Sequence, residues 1–307
     1  MMAESTEMKI IGKTTGEKIT NVIIYIIMIA LMLICVYPIL FTVFASFSDA
    51  KRLMNRTGLL WGPLTPLTLQ GYKLTFSNAK LVSSIYNTLI YVIGGTLLGL
   101  VITGMAAFVL SRKNFILRGV IMKFITFTMF FSGGIIPLFF VVKNIGIYNT
   151  RWAFILPWAM SAYNMIIMRT FFMGIPDALE EAALLDGASD LQIFFHVYVP
   201  LSTAVIAVIA MYYGVGWWNS WYQSLILQPD NKLWPLQMIL RETLISNQTV
   251  SSQAGQAMDV TMMAEESYTR ELVKYCTVVV ATVPILVIYP FLQKYFVKGV
   301  MLGGVKG

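Results

Sequence analysis

The sequence is poor in charged residues and in residues that commonly bind metals. Asp, Glu, Lys and Arg make up 12% of the 307 residues, against roughly one quarter in a soluble domain. The single histidine, His196, excludes a metal site built on several imidazoles, and none is expected. Cys35 and Cys276 have no partner at motif spacing, so we expect small buried hydrophobic side chains. No clustered basic tract supports a nucleic-acid partner.

Hydrophobic residues make up 57% of the chain and are gathered in long runs. A bilayer core of ~30 Å is crossed by ~20 apolar residues in helical conformation. Six runs reach that length, so we predict an all-α integral membrane protein with six transmembrane helices embedded in the lipid bilayer. The predicted spans are Asn21 to Phe47, Ser84 to Ser111, Val120 to Val142, Trp152 to Phe172, Val199 to Tyr222 and Leu272 to Leu292.

The polar leader before the first span indicates how the chain is oriented. It carries Lys9, Lys13 and Lys18, which favours a cytoplasmic amino terminus. An even number of spans then places the carboxyl terminus in the cytoplasm too, and the first run is too long to be a cleaved signal peptide. The predicted domains are a cytoplasmic segment at 1–20, a transmembrane domain at 21–298 and a cytoplasmic tail at 299–307.

Glycine and proline positions predict two local features of the spans. Gly95 and Gly99 form a small-xxx-small pair, which lets helix backbones approach closely. Gly133, Gly134 and Pro137 predict a kink in the third span, because proline removes a helix hydrogen bond and glycine weakens the helix. Both features are packing signals and carry no chemistry of their own.

The stretch PDALEEAALLDGASDLQIFFHVYVPLS, residues 176–202, connects the fourth and fifth spans and is rich in acid and alanine. Its helix formers predict a first helix that ends at Gly187, which can adopt the left-handed conformation. Ser189 or Asp190 can then cap a second helix. In the predicted topology this loop, residues 173–199, is cytoplasmic and forms a helical hairpin at the membrane surface.

Five carboxylates in the hairpin, with no basic residue among them, predict an acidic rim. Two interpretations fit this pattern: an amphipathic connector at the membrane interface, or a docking element for a cytoplasmic protein, against whose alanine-rich face a partner can pack tightly. The carboxylates are those of Asp177, Glu180, Glu181, Asp186 and Asp190.

The hairpin also resembles a known family signature. Glu181-Ala182-Ala183, three residues, Gly187, nine residues and then VYVP at Val197 to Pro200 are similar to the E-A-A-x3-G-x9-I-x-L-P signature of ABC importer permeases, with valines in place of the usual isoleucine and leucine. The segments WWNSWYQSLIL and YPFLQKYFVKGVMLGGVKG extend the resemblance. They are similar to carbohydrate permeases of the maltose-permease-like group, in the oligosaccharide branch of Gram-positive bacteria.

The resemblance implies a subunit of a type I importer in the bacterial cell membrane. Its partners would be a second permease subunit, by analogy a paralogue, two cytoplasmic ABC ATPases and an extracytoplasmic solute-binding protein. The hairpin would supply the coupling helix that inserts into a cleft of the ATPase. The implied coupling residues are Glu180, Glu181, Ala182, Ala183, Asp186, Gly187 and Pro200.

ATP hydrolysis by this chain itself is not expected. Gly12-Lys13-Thr14 matches the end of a phosphate-binding loop, but the first glycine of that pattern would fall at Glu7. The resemblance instead implies that ATP and Mg²⁺ are bound by the partner ATPases. We therefore predict a chain that is not an enzyme and has no cofactor.

The fifth span offers groups suited to a sugar, since aromatic faces stack on sugar rings and amides bind hydroxyls. An aromatic belt at the outer membrane interface is the alternative for each aromatic residue. Asn219 is the best single candidate because an amide inside a membrane is expensive unless it meets a partner or a wet cavity; Asn164 and Asn87 are weaker ones. The candidates for the substrate path are Asn219, Trp217, Trp218, Trp221, Tyr222, Tyr213 and Asn164, accompanied by Tyr212 and Gln223.

Residues 229–271 form the longest polar stretch, which we predict to be external and to carry one or two surface helices. Glu265, Glu266 and Arg270 within it are candidates for contacting the binding protein. An importer of a non-sugar solute remains an alternative, and a stand-alone secondary transporter is a further one. Against the latter, no internal repeat is visible and the predicted spans contain no Asp or Glu.

Overall fold

The structure is a computed structural model that describes the backbone of residues 15–251 and 260–303 and the side chains of residues 15–245 and 267–290. The described residues form fifteen α-helices and no β-strand, which confirms the all-α fold class. The helices are α1 Thr15–Ser46, α2 Ala50–Met54, α3 Gln70–Ser77, α4 Ala79–Ser111, α5 Arg118–Phe130, α6 Ile135–Asn144, α7 Arg151–Ile155, α8 Ala162–Phe172, α9 Asp177–Leu185, α10 Asp190–Ile193, α11 Val199–Leu201, α12 Thr203–Trp218, α13 Tyr222–Leu227, α14 Leu236–Ser251 and α15 Val260–Gly303.

Three helices are long and apolar enough to cross a membrane by themselves: α1, α4 and the stretch Ser267–Pro290 of α15. They coincide with the first, second and sixth predicted spans. In α1 and α4 the apolar run continues without a break into a full helix of more than thirty residues. These spans were therefore readable from hydropathy and length.

The third predicted span is bent rather than straight. Helices α5 and α6 meet at 117°, and Gly134 between them has a φ of 84°, which a residue with a side chain rarely adopts. Pro137 lies in the first turn of α6, where its missing N–H removes no helix bond. The predicted kink is confirmed, and Gly134 rather than Pro137 is the residue at which the helix turns.

The fourth and fifth predicted spans are also not single helices. The fourth is divided into α7, a 3₁₀ turn at Leu156–Trp158 that contains a proline, and α8. The fifth begins in the helical segment that ends at Leu201 and turns by 87° before α12. Counting each bent pair as one span, the described residues provide up to five candidate spans, so six spans remain a prediction.

Helix α4 lies at the centre of the core, packed against α8 and α12. A Cβ atom on Gly95 would lie 2.4 Å from the Trp217 ring, and one on Gly99 would lie 3.1 Å from the Tyr213 ring. The close approach predicted for this glycine pair is thus confirmed. At ~1.5 Å per residue, α4 extends ~50 Å from the 47–78 loop at one end to the segment before α9 at the other.

Several predictions fall outside the described part of the chain. These are the residues of the leader before Thr15, the end of the tail after Gly303, and the side chains of Glu265 and Glu266. In the polar segment at 229–271, the structure has a 3₁₀ turn at Asn231–Leu233, helix α14 and the start of α15. The predicted helical character of that segment is confirmed.

Candidate functional site

The acidic stretch between α8 and α12 folds as a helix, a stop and a second helix, as predicted. Helix α9 ends in a Schellman motif, since the Gly187 N–H donates to the Leu184 carbonyl and the Ala188 N–H to the Ala183 carbonyl, each at 3.0 Å. Gly187 has a φ of 77°, the left-handed conformation that this motif requires. The helical hairpin itself consists of α9 and α10, residues 177–193.

The second helix of the hairpin begins with a capping box. The Ser189 hydroxyl accepts from the Gln192 N–H, and the Gln192 side chain accepts from the Ser189 N–H at 2.7 Å. The chain then continues through a π-helical segment, Phe194–Tyr198, into α11, which contains Pro200. The 87° turn follows Pro200 directly, so this proline lies at the junction of the hairpin and α12.

The hairpin presents the signature residues on its outer surface. Glu181, Ala182, Asp186 and Gly187 are exposed, whereas Ala183 is half-buried and packs against the core. Next to them the Leu185 side chain is 89% exposed. An apolar side chain beside alanines on an exposed helix offers a surface that another protein can cover.

The carboxylates of the hairpin do not form a free acidic rim, and that prediction is wrong for three of the five. Glu180 and Asp190 both pair with Arg112, and Asp177 pairs with Lys113. Both bases come from the end of α4, more than sixty residues earlier in the chain, so local sequence could not reveal the pairs. Glu181 and Asp186 remain exposed.

Arg112 keeps its charge in this setting. Burial acts to lower the pKa of its guanidinium, but hydrogen bonds and attraction to Asp190 and Glu180 outweigh burial, so the pKa is raised. The contact between α4 and the hairpin therefore includes a charged guanidinium.

A second candidate feature is a cavity of about 430 Å³, which we call the aromatic cavity. It lies where α8, α12 and the segments flanking them meet. Among the described residues, those lining it carry no charge. They are Trp158, Ser161, Tyr163, Asn164, Tyr212, Tyr213, Gly216, Trp217, Ser220 and Gln223.

Several polar groups of this lining lack a protein partner. Among the described residues, the indole Nε1 of Trp217 and the amide oxygen of Gln223 are buried without a hydrogen bond. Asn164 is 5% exposed; its backbone N–H donates to the Ser161 hydroxyl, and its side chain has no hydrogen bond to the described residues. Buried polar groups normally have partners. The Trp217 Nε1 lies against Gly95 of α4, so Asn164 and Gln223 are the lining groups that suit a ligand rich in hydroxyl groups.

Three of the seven candidate path residues, Asn164, Tyr213 and Trp217, line the aromatic cavity, as do the accompanying Tyr212 and Gln223. Tyr213 also ties helices together, because its hydroxyl bonds the Thr103 hydroxyl at 2.6 Å and accepts from the Ser161 N–H at 2.9 Å. Its ring, rather than its hydroxyl, is available to a ligand.

The other path candidates lie outside the cavity lining. The Trp218 indole donates to the Ala281 carbonyl at 3.0 Å, and the Arg241 guanidinium lies 4.9 Å from the Trp221 ring centre. Tyr222 is half-exposed beside Trp221. Asn219, the best candidate from sequence, ends α12 as an exposed residue 3.5 Å from the Gln237 side chain.

Sequence reasoning missed Trp158, Ser161, Tyr163, Gly216 and Ser220 as cavity residues. The first three surround the break in the fourth predicted span, and Pro157 was the signal that could have revealed it.

Asn87, a weaker sequence candidate, is held by protein groups: its amide donates to the Lys232 carbonyl at 2.6 Å and accepts from Arg151 at 3.1 Å.

These features are those of a membrane transport component. Residues 95–302 match the family model of binding-protein-dependent transport system inner membrane components, and the chain belongs to this family. Subunits of this family are permeases and not enzymes themselves.

Two similar proteins are named as transport system permeases. The chain is 38% identical to the polygalacturonan/rhamnogalacturonan transport system permease protein YtcP of Bacillus subtilis, over 95% of this chain and 99% of that protein. It is 28% identical to the arabinooligosaccharides transport system permease protein AraQ of Halalkalibacterium halodurans, over 89% and 92%. Both alignments run almost the full length of each protein.

A solved structure shares the fold. A chain from the crystal structure of a bacterial ABC transporter involved in the import of the acidic polysaccharide alginate superposes with a TM-score of 0.82 at 26% sequence identity. The match covers 92% of this chain and 99% of the other. The bent spans described above thus belong to an importer fold.

Proposed function

We propose that this chain is the membrane-spanning permease subunit of an ATP-driven, binding-protein-dependent importer and forms half of the pathway for an oligosaccharide. The observation that carries the proposal is the exposed hairpin with its Glu181-Ala182-Ala183-x3-Gly187 signature, in a chain of the permease family. The substrate class is supported by the named relatives, whose systems carry saccharides.

In this proposal the hairpin is the contact for a cytoplasmic ATPase. The exposed surface around Ala182, Leu185 and Gly187 would be covered by the ATPase, with Glu181 at its edge. The ATPases bind ATP and Mg²⁺, close on ATP and pull on the hairpin, and hydrolysis resets them. With six spans, both termini and the hairpin would lie in the cytoplasm and residues 229–271 would lie outside.

The aromatic cavity would form this chain's part of the sugar path. Rings of Tyr163, Tyr212 and Trp217 offer stacking faces, while Asn164 and Gln223 offer an amide donor and acceptors for hydroxyl groups. The cavity is open on one side rather than enclosed. A second permease, a paralogue of this chain, would close it, and an extracytoplasmic binding protein would deliver the sugar.

The proposal is tested by purifying the chain from its native membrane in mild detergent and identifying the proteins that accompany it. The ATPase rate of the purified assembly is then measured with its binding protein and a panel of galacturonan, rhamnogalacturonan and arabinan fragments. We expect a second permease and an ATPase, with turnover raised by one class of fragment. Recovery of the chain alone, with transport intact, would refute the proposal, and stimulation only by a non-sugar solute would refute the substrate class.

A further inference from the structure

Arg112, the first residue after α4, holds carboxylates from both helices of the hairpin. Its Nε donates to a Glu180 carboxylate oxygen at 2.7 Å and its Nη1 to an Asp190 carboxylate oxygen at 2.5 Å. The second Glu180 oxygen accepts from the Tyr198 hydroxyl at 2.8 Å. We call Arg112, Glu180, Asp190 and Tyr198 the clamp, since they join α4, α9, α10 and the π-helical segment.

The Arg112–Glu180 pair of the clamp differs from the neighbouring ion pair in burial, whereas the Asp190 side chain is 70% exposed. The Arg112 and Glu180 side chains are 19% and 15% exposed, whereas those of Lys113 and Asp177 are 75% and 62% exposed. Water and salt screen an exposed pair, which then contributes little. The planar fork of arginine can also serve two carboxylates in fixed directions, which a lysine ammonium group does not do.

Aromatic rings of the helix core pack against the clamp and fix its orientation. The Arg112 guanidinium lies 5.1 Å from the centre of the Phe108 ring, an arrangement favourable for a cation. Phe108 and Phe172 in turn pack edge-on against the Tyr198 ring, with centroids 4.8 and 5.3 Å apart. The guanidinium thus packs against the helix core and hydrogen-bonds to the hairpin at the same time.

Further toward its amino-terminal end, α4 contacts residues that line the aromatic cavity. The Thr103 hydroxyl bonds that of Tyr213, and Gly95 lies against Trp217. Thr103 and Arg112 are about 14 Å apart along the helix axis, and α4 between them is unbroken and contains no proline. A displacement of the hairpin that moves Arg112 therefore also moves the wall of the cavity.

We propose that Arg112 is a positioning residue that fixes the hairpin to α4, so that nucleotide-driven movement of the hairpin is transmitted to the aromatic cavity. This inference rests on the proposed function, because it requires an ATPase to act on the hairpin. Without the clamp, the hairpin would still dock and hydrolysis would continue, but the cavity wall would no longer follow.

The test measures the cavity directly and needs no identified sugar. Ser220, which lines the aromatic cavity, is changed to Cys in a Cys35→Ala background of the complete transporter; the remaining Cys276 is buried. The rate of labelling by a small water-soluble thiol reagent is measured with and without Mg-ATP and vanadate, together with ATP hydrolysis. The same complex without the Ser220→Cys change supplies the blank.

With Arg112 intact, nucleotide is expected to change the labelling rate. Arg112→Gln should reduce that change about fivefold or more while ATP hydrolysis persists, and Arg112→Lys should restore only part of it. Lys113→Gln, which breaks the exposed pair, should behave as the unmodified chain. A full nucleotide response in Arg112→Gln, or a parallel loss of labelling response and hydrolysis, would overturn the inference.

Two further results separate the possible failures. No nucleotide response with Arg112 intact would mean that the proposed function is wrong, and the clamp with it. If Arg112→Gln does not assemble, Arg112→Lys and Tyr198→Phe serve as milder variants. A full response in both would overturn the clamp, and a reduced response in both with hydrolysis retained would support it.

Discussion

Two buried asparagines show how similar residues acquire different roles at the residue scale. Asn87 and Asn164 are 2% and 5% exposed. Asn87 bonds two backbone carbonyls and Arg151, whereas the described part of the chain offers no partner to the Asn164 side chain. Sequence suggested both as path residues, because hydropathy shows that an amide is buried but not which groups surround it.

We predict that replacing these two asparagines by leucine affects different properties, stability for Asn87 and sugar uptake for Asn164. Asn87→Leu removes one acceptor of Arg151 and the donor to two backbone carbonyls, so it should lower the free energy of unfolding by about 1–3 kcal/mol. Asn164→Leu should leave the free energy of unfolding unchanged. It should weaken uptake of the sugar about tenfold, as expected for the loss of one hydrogen bond to the sugar. Thermal unfolding and uptake by the purified assembly measure both; stable Asn87→Leu or full uptake by Asn164→Leu would contradict the assignment.

The adjacent glycines Gly94 and Gly95 provide a matched pair for the packing of α4. A Cβ on Gly95 would meet the Trp217 ring at 2.4 Å, but one on Gly94 would have its nearest neighbour at 3.8 Å. Gly95→Ala should cost about 1–3 kcal/mol through overpacking and displace Trp217, a cavity residue. Gly94→Ala gains helix propensity without a clash and should unfold at the same or a higher temperature. Equal unfolding temperatures for the two variants would show that the contact is not tight.

At the scale of the element, the hairpin depends on a backbone conformation at Gly187. Its φ of 77° costs a residue with a side chain about 1–2 kcal/mol. We predict that Gly187→Ala lowers the hairpin's stability by that amount and reduces ATP-driven uptake. Gly119→Ala is the control, since Gly119 has an ordinary φ and open space around its Cβ position. Hydrogen exchange of residues 177–193 reports the first effect, and unchanged exchange in Gly187→Ala would contradict it.

The hairpin was predictable from sequence and the bends of the spans were only partly so. Gly187 and Ser189 act on their own helix ends, so local rules place them correctly. Pro157 signals the break in the fourth predicted span, but hydropathy alone does not show the 87° turn near Ser202. Arg112 lies 68 residues from Glu180, which is why the acidic rim was mispredicted.

At the scale of the whole molecule, much of the surface is apolar. The most apolar window of α1 has none of its residues buried, and Phe124, Phe127 and Phe130 of α5 are exposed. Such surfaces suit lipid or another membrane subunit. The three unbroken spans and the family were accessible from sequence because hydropathy and the signature are local. The aromatic cavity required residues from three segments to be brought together.

The central claim is that this chain moves a sugar only within an ATP-driven assembly. The most direct measurement is uptake of a labelled oligosaccharide into proteoliposomes that hold ATP on the hairpin side, with the complete assembly and with this chain alone. We expect uptake by the complete assembly that requires ATP and the binding protein, and none by the chain alone. Flux through the chain alone, or uptake by the assembly that is indifferent to ATP, would contradict it.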